Sequence, residues 1–163
     1  MMSTILKILT LFLTMLVVVP AGTHLFELPN KIGLPRDAYF TVQGIYAGWA
    51  WFGVVILAAI VANLVLAWRL WPRDRSAALS AACSAALIAV GLAVFFTWTF
   101  PANQATLNWT TIPEDWERLR AEWEYSHAVN ALIDTAAFVA TAVAVIRPLP
   151  STTSRPSRGR SAP

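Results

Sequence analysis

Polar and aromatic side chains recur every three or four residues along the segment WERLRAEWEYSHAVNALIDTAA, which leads into an apolar run. Because a helix turns by about 100° per residue, these positions fall on one face, with Glu124 at its edge. The face carries Trp116, Arg120, Trp123, His127, Asn130 and Asp134. An imidazole aligned with a carboxyl is suited to proton transfer, so this face predicts a site for a ligand or a mobile proton.

Asp134 lies about 10 Å further along this helix than His127, with Asn130 between them as a relay. An ionised carboxylate within hydrocarbon costs at least about 2.5 kcal/mol. We therefore predict that Asp134 faces protein and is either protonated or hydrogen-bonded. A polar clamp that locks the helices together is the alternative role. Its candidate partners at similar height are Gln43, Tyr46 and Thr97.

A second pair of ionisable side chains has the same spacing. His24 and Glu27 are three residues apart, as are Glu124 and His127, and each pair lies at the end of an apolar segment. A set of His and carboxylate ligands suits iron, zinc or copper, and Glu-x-x-His on facing helices builds di-metal sites. These four residues are therefore a candidate transition-metal site. An organic-ligand site without a cofactor, and simple polarity at the headgroup level, stay open as alternatives.

The elements that position these residues are membrane helices. Of the 163 residues, 57% are hydrophobic and only 13% are charged, whereas soluble domains are about a quarter charged. Each of three stretches keeps few or no charges over about 18 or more residues, enough to cross about 30 Å of hydrocarbon. The three stretches are 5–22, 45–70 and 77–100, and the fourth, 127–146, contains Asp134.

We predict an all-α fold, a four-helix transmembrane bundle in a single domain over residues 1–146. The predicted helices are about 5–24, 45–70, 77–100 and 112–146. The fourth begins at a capping box, Thr111 to Glu114, and extends several turns outside the membrane. Residues 147–163 are rich in Pro, Ser and Arg and predict a disordered basic tail. The first segment also resembles a cleavable signal peptide, and that alternative stays open.

The Lys and Arg residues predict the orientation, because cytoplasmic loops carry their excess. The predicted cytoplasmic side holds Lys7, Arg69, Arg73, Arg75, Arg147, Arg155, Arg158 and Arg160. The opposite side is net acidic, so we expect both termini in the cytoplasm and the polar face outside. The chain is predicted to be a multi-pass protein of the inner (plasma) membrane.

The same features predict which partners the chain has. The bilayer surrounds the helices, and contact with a second copy or another membrane protein stays open. The basic residues form no patch with interleaved aromatics, which argues against binding of nucleic acid. Cys83 is the only cysteine, which excludes intramolecular disulfides and thiolate metal clusters.

Three short motifs add a family resemblance: PNKIGL at 29–34, FPAN at 100–103 and WEYSH at 123–127. With four short membrane helices, they resemble the anthrone-oxygenase-like family of small bacterial membrane proteins, most of them of unknown function. A few members are associated with oxidation of polycyclic anthrones to quinones without a dedicated organic cofactor. The resemblance implies a small apolar or aromatic ligand. Where relatives tend to have Arg, this chain has Asn130.

The resemblance implies roles for residues on the polar face. His127 would be the base that removes an acidic C–H proton, and Arg120 or Asn103 would hold the developing enolate oxygen. The candidate catalytic residues are His127, Arg120 and Asp134, and the candidate substrate-binding residues are Trp98, Asn103, Trp116, Trp123 and Asn130.

Two other functional classes stay open beside an enzyme. A non-catalytic scaffold or accessory subunit needs only packing faces, and predicts that replacing His127 or Asp134 leaves function intact. A small transporter needs a polar path to the cytoplasmic side, for which the inner half offers only Asn63, Thr14 and Thr141. The sequence leaves enzyme and scaffold equally open.

Overall fold

Helices account for most of residues 4–147, which are the residues described by this computed structural model. The α-helices are α1 Thr4–Lys31, α2 Arg36–Gln43, α3 Phe52–Leu70, α4 Arg75–Val94, α5 Phe100–Ala105 and α6 Trp116–Ile146. Four helical stretches are long and apolar enough to cross a membrane: Thr4–Lys31, Trp49–Leu70, Arg75–Ala105 and Trp116–Ile146. The chain is therefore a multi-pass integral membrane protein. The tail predicted beyond Arg147 lies outside the described residues.

The four spans form a bundle in which each has two neighbours. The helix α6 packs against α1 and α4, and α3 packs against the same two helices from the other side. Buried alanines such as Ala59, Ala78 and Ala137 fill the space between the spans and let the backbones approach closely. Helix α2, the last turns of α1 and the first turns of α6 meet at one end of the bundle, here named the α2 end.

The first span is longer than predicted. It continues past residue 24 to Lys31, although Pro29 removes one backbone donor from its last turns. The proline ring lies on the exposed side of the helix, while Lys31 is buried among side chains of other elements. The two added turns bring Glu27 and Lys31 onto the face that already carries His24.

The second span begins later than predicted. Short α2 and two 3-10 turns, Gly44–Tyr46 and Trp49–Trp51, precede α3. Between these turns Gly48 has φ +84°, a left-handed conformation that L side chains rarely adopt, and an α-helix cannot run through it. The predicted start at residue 45 was therefore wrong, and the break turns Tyr46 and Trp49 toward α1.

The last two spans also differ from the prediction at the α2 end. A π-helical turn, Phe95–Thr99, joins α4 to α5, so the third span reaches Ala105. The fourth helix begins at Trp116 rather than 112, and the capping box predicted at Thr111 is not made. Residues 107–109 have positive φ and form a tight turn in which the Thr106 hydroxyl accepts a hydrogen bond of 3.0 Å from the Trp109 amide. This turn displaces the helix start.

A layer of polar side chains crosses the bundle in the other half. It contains one residue from each span, Thr14, Asn63, Ser84 and Thr141, and all four are fully buried. The Asn63 amide donates to the Thr14 hydroxyl at 3.0 Å, and the Thr141 hydroxyl donates to the Asn63 carbonyl at 2.9 Å. The Ser84 and Thr141 hydroxyls are 2.7 Å apart. These side chains satisfy one another and join all four spans.

Candidate functional site

A buried ion cluster occupies the α2 end. The Lys31 ammonium lies 3.1 Å from the Glu124 carboxylate and 3.6 Å from that of Glu27. The side chains of Lys31 and Glu124 are only 4% and 0% exposed. Charges so poorly hydrated persist only when they are paired and hydrogen-bonded, so this end of the bundle is built around the pair.

Two tyrosines donate hydrogen bonds to the carboxylates of the ion cluster. The Tyr46 hydroxyl accepts from Lys31 at 2.6 Å and donates to Glu27. The Tyr39 hydroxyl donates to Glu124 at 2.9 Å and accepts from the Gln43 amide at 2.5 Å. Burial and the adjoining carboxylates raise the pKa of both tyrosines above the ordinary value, so each stays a protonated donor.

The two histidines of the chain meet beside this cluster. The rings of His24 and His127 stack with centroids 4.0 Å apart and an angle of 28° between their planes. Trp123 lies edge-on to both, 4.9 Å from His24 and 4.3 Å from His127, and Tyr46 lies 4.6 Å from His24. Helices α1 and α6 thus contribute one imidazole each to a cluster of rings, here named the aromatic box, that consists of His24, Tyr46, Trp123 and His127.

The ammonium of Lys31 belongs to the same box. Its nitrogen lies 4.4 Å from the Tyr46 ring centroid and 4.5 Å from that of Trp123, distances at which a cation is attracted to the ring face. His24 contacts the same two rings, and His127 contacts that of Trp123. The cation of this box is therefore Lys31, whereas the family resemblance implied Arg120 as the cation beside the base.

Buried polar atoms without a partner concentrate at this end. Within residues 4–147 they are His24 Nδ1, Gln43 Oε1, Arg120 Nε, Glu124 Oε2 and Asn130 Oδ1. Buried polar groups are otherwise nearly always hydrogen-bonded. Such a group of unpaired donors and acceptors is typical of a site that takes water or a polar ligand.

A groove of about 530 Å³ reaches the ion cluster from the side, between α1 and the segment that follows it. It is lined by Thr23, Phe26, Glu27, Asn30, Lys31, Leu34 and Val42. Glu27 and Lys31 belong both to the groove and to the ion cluster. The cluster is therefore accessible from the flank of the bundle.

Asp134 faces protein, as predicted, and is 8% exposed. Gly91 makes room for it: a Cβ at this glycine would lie 3.4 Å from Asp134 Oδ1 and 3.5 Å from Asn130 Oδ1. Its three predicted partners were wrong. Tyr46 and Gln43 bond within the ion cluster, and the Thr97 hydroxyl donates to the Ala93 carbonyl at 2.7 Å.

Other predicted site residues have structural contacts instead. The Arg120 guanidinium donates to the Leu34 carbonyl at 2.9 Å and lies 4.6 Å from the Trp116 ring centroid. The Asn103 side-chain carbonyl accepts from the indoles of Trp109 and Trp123, at 3.1 and 2.9 Å. These contacts hold Arg120 against Leu34 and Trp116, and Asn103 against two indoles, and they give neither residue a contact with the imidazoles, although the family resemblance implied that one of the two would hold an enolate oxygen.

Trp98, predicted to stack on a ligand, does not join the aromatic box. Its side chain is 47% exposed, on the outside of the π-helical turn. An exposed indole on the surface of a span is placed to contact lipid. Among the predicted substrate-binding residues, Trp123 is the one that contacts both histidines.

The predicted metal site is not formed, although His24, Glu27, Glu124 and His127 lie at the same end. In the described part of the chain, no group of three or more His, Cys, Asp or Glu side chains is arranged to hold a metal ion. The Lys31 ammonium forms ion pairs with both carboxylates, and the two imidazoles stack on each other.

Sequence reasoning missed Lys31 and Tyr39, and it assigned Tyr46 and Gln43 to Asp134 rather than to the ion cluster. A signal for Lys31 was present, since it follows Glu27 by four residues and His24 by seven, on one helix face. Ending the first helix at residue 24 concealed it. The tyrosines come from the segment between the first two spans, where no periodic pattern marks the inward side.

Comparison of the chain with protein-family models, with curated protein sequences and with solved structures gave no match. The comparisons therefore assign neither a family nor a fold relative. What the α2 end can do follows from its own geometry.

Proposed function

We propose that this membrane protein is an enzyme of the anthrone-oxygenase-like type, which deprotonates a small, planar, weakly acidic ligand at the α2 end. The observation that carries the proposal is the stacked His24–His127 pair, with the buried His24 Nδ1 unpaired, beside the Lys31 ammonium. A base next to a fixed cation suits the conversion of a neutral C–H acid into an enolate.

Each part of the box has a role in this proposal. His127 takes the proton, and its stacking on His24 and edge contact with Trp123 hold the ring in place. Lys31 stabilises the negative oxygen of the enolate, in place of Arg120 or Asn103. Glu124 and Tyr46 keep the ammonium in position. The rings of Trp123 and Tyr46 give a planar ligand apolar surface.

The overall reaction proposed for an anthrone needs only dioxygen as oxidant. Removal of one C–H proton leaves an electron-rich enolate, which dioxygen oxidises. One oxygen atom becomes the new quinone carbonyl, and the other leaves as water with the two hydrogens lost from the carbon. The residues of the box supply the base and the charge stabilisation, and no metal is required of them.

We also propose that the chain lies in a bacterial inner membrane with both termini in the cytoplasm and the α2 end outside. Basic residues support this orientation, because Arg69, Arg73, Arg75 and Arg147 all lie at the end of the bundle away from α2. The extension of α6 beyond the bilayer belongs to the same proposal.

The test is turnover of anthrone by the purified protein in detergent, followed as oxygen uptake and quinone absorbance. We expect His127→Ala to slow quinone formation by about 100-fold or more, the usual effect of losing a general base. Tyr125→Phe is the matched control, because Tyr125 is exposed on the same helix. Equal rates for His127→Ala and the control would refute the proposal.

A scaffold remains the second candidate, and one observation favours it. Lys31 and Tyr39 both bond Glu124, so the cluster ties α1 and α2 to α6. A clamp needs no ligand. If His127→Ala and Asp134→Asn preserve both stability and function, the α2 end serves only to hold these elements together.

A further inference from the structure

We infer that the groove beside α1 is a lateral portal through which a lipid-soluble aromatic ligand with one acidic or keto oxygen passes from the bilayer to the site. The inference rests on the proposed function and adds to it the route and the solubility of the ligand. Three observations support it: the bundle is closed at the α2 end, the groove has both apolar and charged lining residues, and the groove lies at the level of the lipid headgroups.

The direct route from water along the bundle axis is closed by an aromatic layer at the α2 end. Tyr39, Trp109 and Trp123 are buried there, with exposed fractions of 0%, 7% and 3%. The ring centroids of Tyr39 and Trp109 are 5.3 Å apart, and those of Trp109 and Trp123 are 5.9 Å apart. A planar ligand cannot pass between rings in contact, so access must come from the flank.

The groove combines apolar walls with a polar end. Phe26, Leu34 and Val42 provide apolar surface, while Glu27 and Lys31 belong to the ion cluster. A hydroxyl can donate to Glu27, and a keto or enolate oxygen can displace Glu27, which lies 3.6 Å away, from the Lys31 ammonium. A flat apolar molecule with a single such oxygen matches this distribution. Lys31 connects this end of the groove to the histidine pair, because its ammonium lies 4.5 Å from the centroid of the Trp123 ring that contacts both imidazoles.

The groove lies at a level along the membrane normal that suits entry from lipid. Phe26 on its rim is 81% exposed, and Trp51, after the break at Gly48, is 79% exposed. Exposed aromatic side chains at the end of a span mark the level of the lipid headgroups. Amphipathic aromatic molecules collect at this level, with the polar atom toward water and the rings among the acyl chains.

A portal has a kinetic signature that a binding site lacks. Narrowing it slows entry and exit equally, so kon and koff fall together while Kd is unchanged. We would measure stopped-flow quenching of tryptophan fluorescence by anthrone, with the full chain in nanodiscs of phosphatidylcholine and phosphatidylglycerol. The narrowed variants are Val42→Phe and Thr23→Phe. The matched control is Val54→Phe, at a site on α3 that is 61% exposed.

We expect both narrowed variants to lower kon and koff by about fivefold or more, with Kd within about twofold of wild type. Unchanged rates in two folded variants that still bind anthrone would overturn the portal and leave the proposed function standing. A raised Kd with unchanged kon would overturn it too, because the groove would then be part of the binding site. Failure of the wild-type protein to bind anthrone would overturn both proposals.

A phospholipid is the competing occupant of the groove. Native mass spectrometry separates it from a transient aromatic ligand, because a headgroup site retains lipid after purification. One phospholipid bound to the wild-type protein and absent from Val42→Phe would identify a headgroup site and overturn the portal. Equal lipid retention by both proteins, with slowed anthrone exchange in the variant, is the result that supports it.

Discussion

The decisive residue of the α2 end is Lys31. Its ammonium contacts two carboxylates, one phenol and two aromatic faces, and of the two carboxylates Glu124 is fully buried while Glu27 lines the groove. The energetic balance of such a pair is asymmetric. Forming it offsets much of the dehydration cost of both charges, whereas removing one partner leaves the other buried and uncompensated.

Lys31→Met tests this asymmetry. The substitution keeps an apolar side chain of similar length and leaves the buried Glu124 carboxylate without a cation. We therefore expect the free energy of unfolding to fall by about 3 kcal/mol or more. The double variant Lys31→Met/Glu124→Gln should recover a large part of that loss, because no charge is left unpaired. Unfolding in mixed detergent measures both.

The control for this cycle is Arg118→Met. Arg118 forms its salt bridges with Asp115 and Glu122 at an exposed position. Screened pairs of this kind contribute little, and we expect no measurable change in stability. A loss for Arg118→Met equal to that for Lys31→Met would contradict the importance assigned to burial.

At the scale of elements, the sequence predicted the spans and missed their ends. Hydrocarbon thickness and backbone hydrogen bonding determine how many residues a span needs, and composition reports them directly. The residues at which each span begins and ends depend on local backbone geometry and tertiary contacts, which composition does not reveal. Helix α1 continues through Pro29, whose ring faces outward, and the left-handed backbone of Gly48 separates the two 3-10 turns.

The same difference explains what was predicted of the site. The meeting of His24 and His127 was predictable, because each lies three residues from a carboxylate at the end of an apolar segment. The role of Lys31 was not, since it depends on two helical turns that the prediction omitted. The sequence proposed a metal ion between Glu27 and Glu124 for the same reason, and the cation that lies there in the structure is Lys31.

Gly48→Ala tests the break between the 3-10 turns. At φ +84° a Cβ has free space but an unfavourable backbone conformation, so we expect a loss of about 1 kcal/mol of stability. Gly44→Ala is the control, because Gly44 has φ −60° and nothing within 4 Å of the added carbon. Thermal unfolding in detergent should separate the two. Equal effects would show that the backbone angle is not the cause.

At the scale of the whole molecule, the bundle has a different kind of polar contact at each level. Charges and aromatic rings occupy the α2 end, Asn130 and Asp134 follow along α6, and hydroxyls and one amide form the layer in the other half. In lipid the spans gain little from burying apolar surface against one another. Side-chain hydrogen bonds and close alanine packing therefore hold the four together.

Thr141→Val tests the polar layer. The substitution is nearly isosteric and removes the hydroxyl that bonds Asn63 and Ser84, so we expect a loss of about 1 kcal/mol, within the range for bonds between membrane helices. Thr135→Val is the control on the same helix, since Thr135 is an exposed residue whose hydroxyl donates to the Ala131 carbonyl of its own helix. An equal or larger loss for the control would count against the layer.

The π-helical turn Phe95–Thr99 divides the third span into two helices whose faces are set independently. Such a turn holds one residue more than an α-turn, so the helix beyond it is rotated by about 100° relative to an uninterrupted one. The alanine-rich length before it and the FPAN length after it consequently have separate registers. Substitutions in α5 can therefore change the hydrogen bonds from the Trp109 and Trp123 indoles to Asn103 while the packing of α4 against α3 and α6 stays the same.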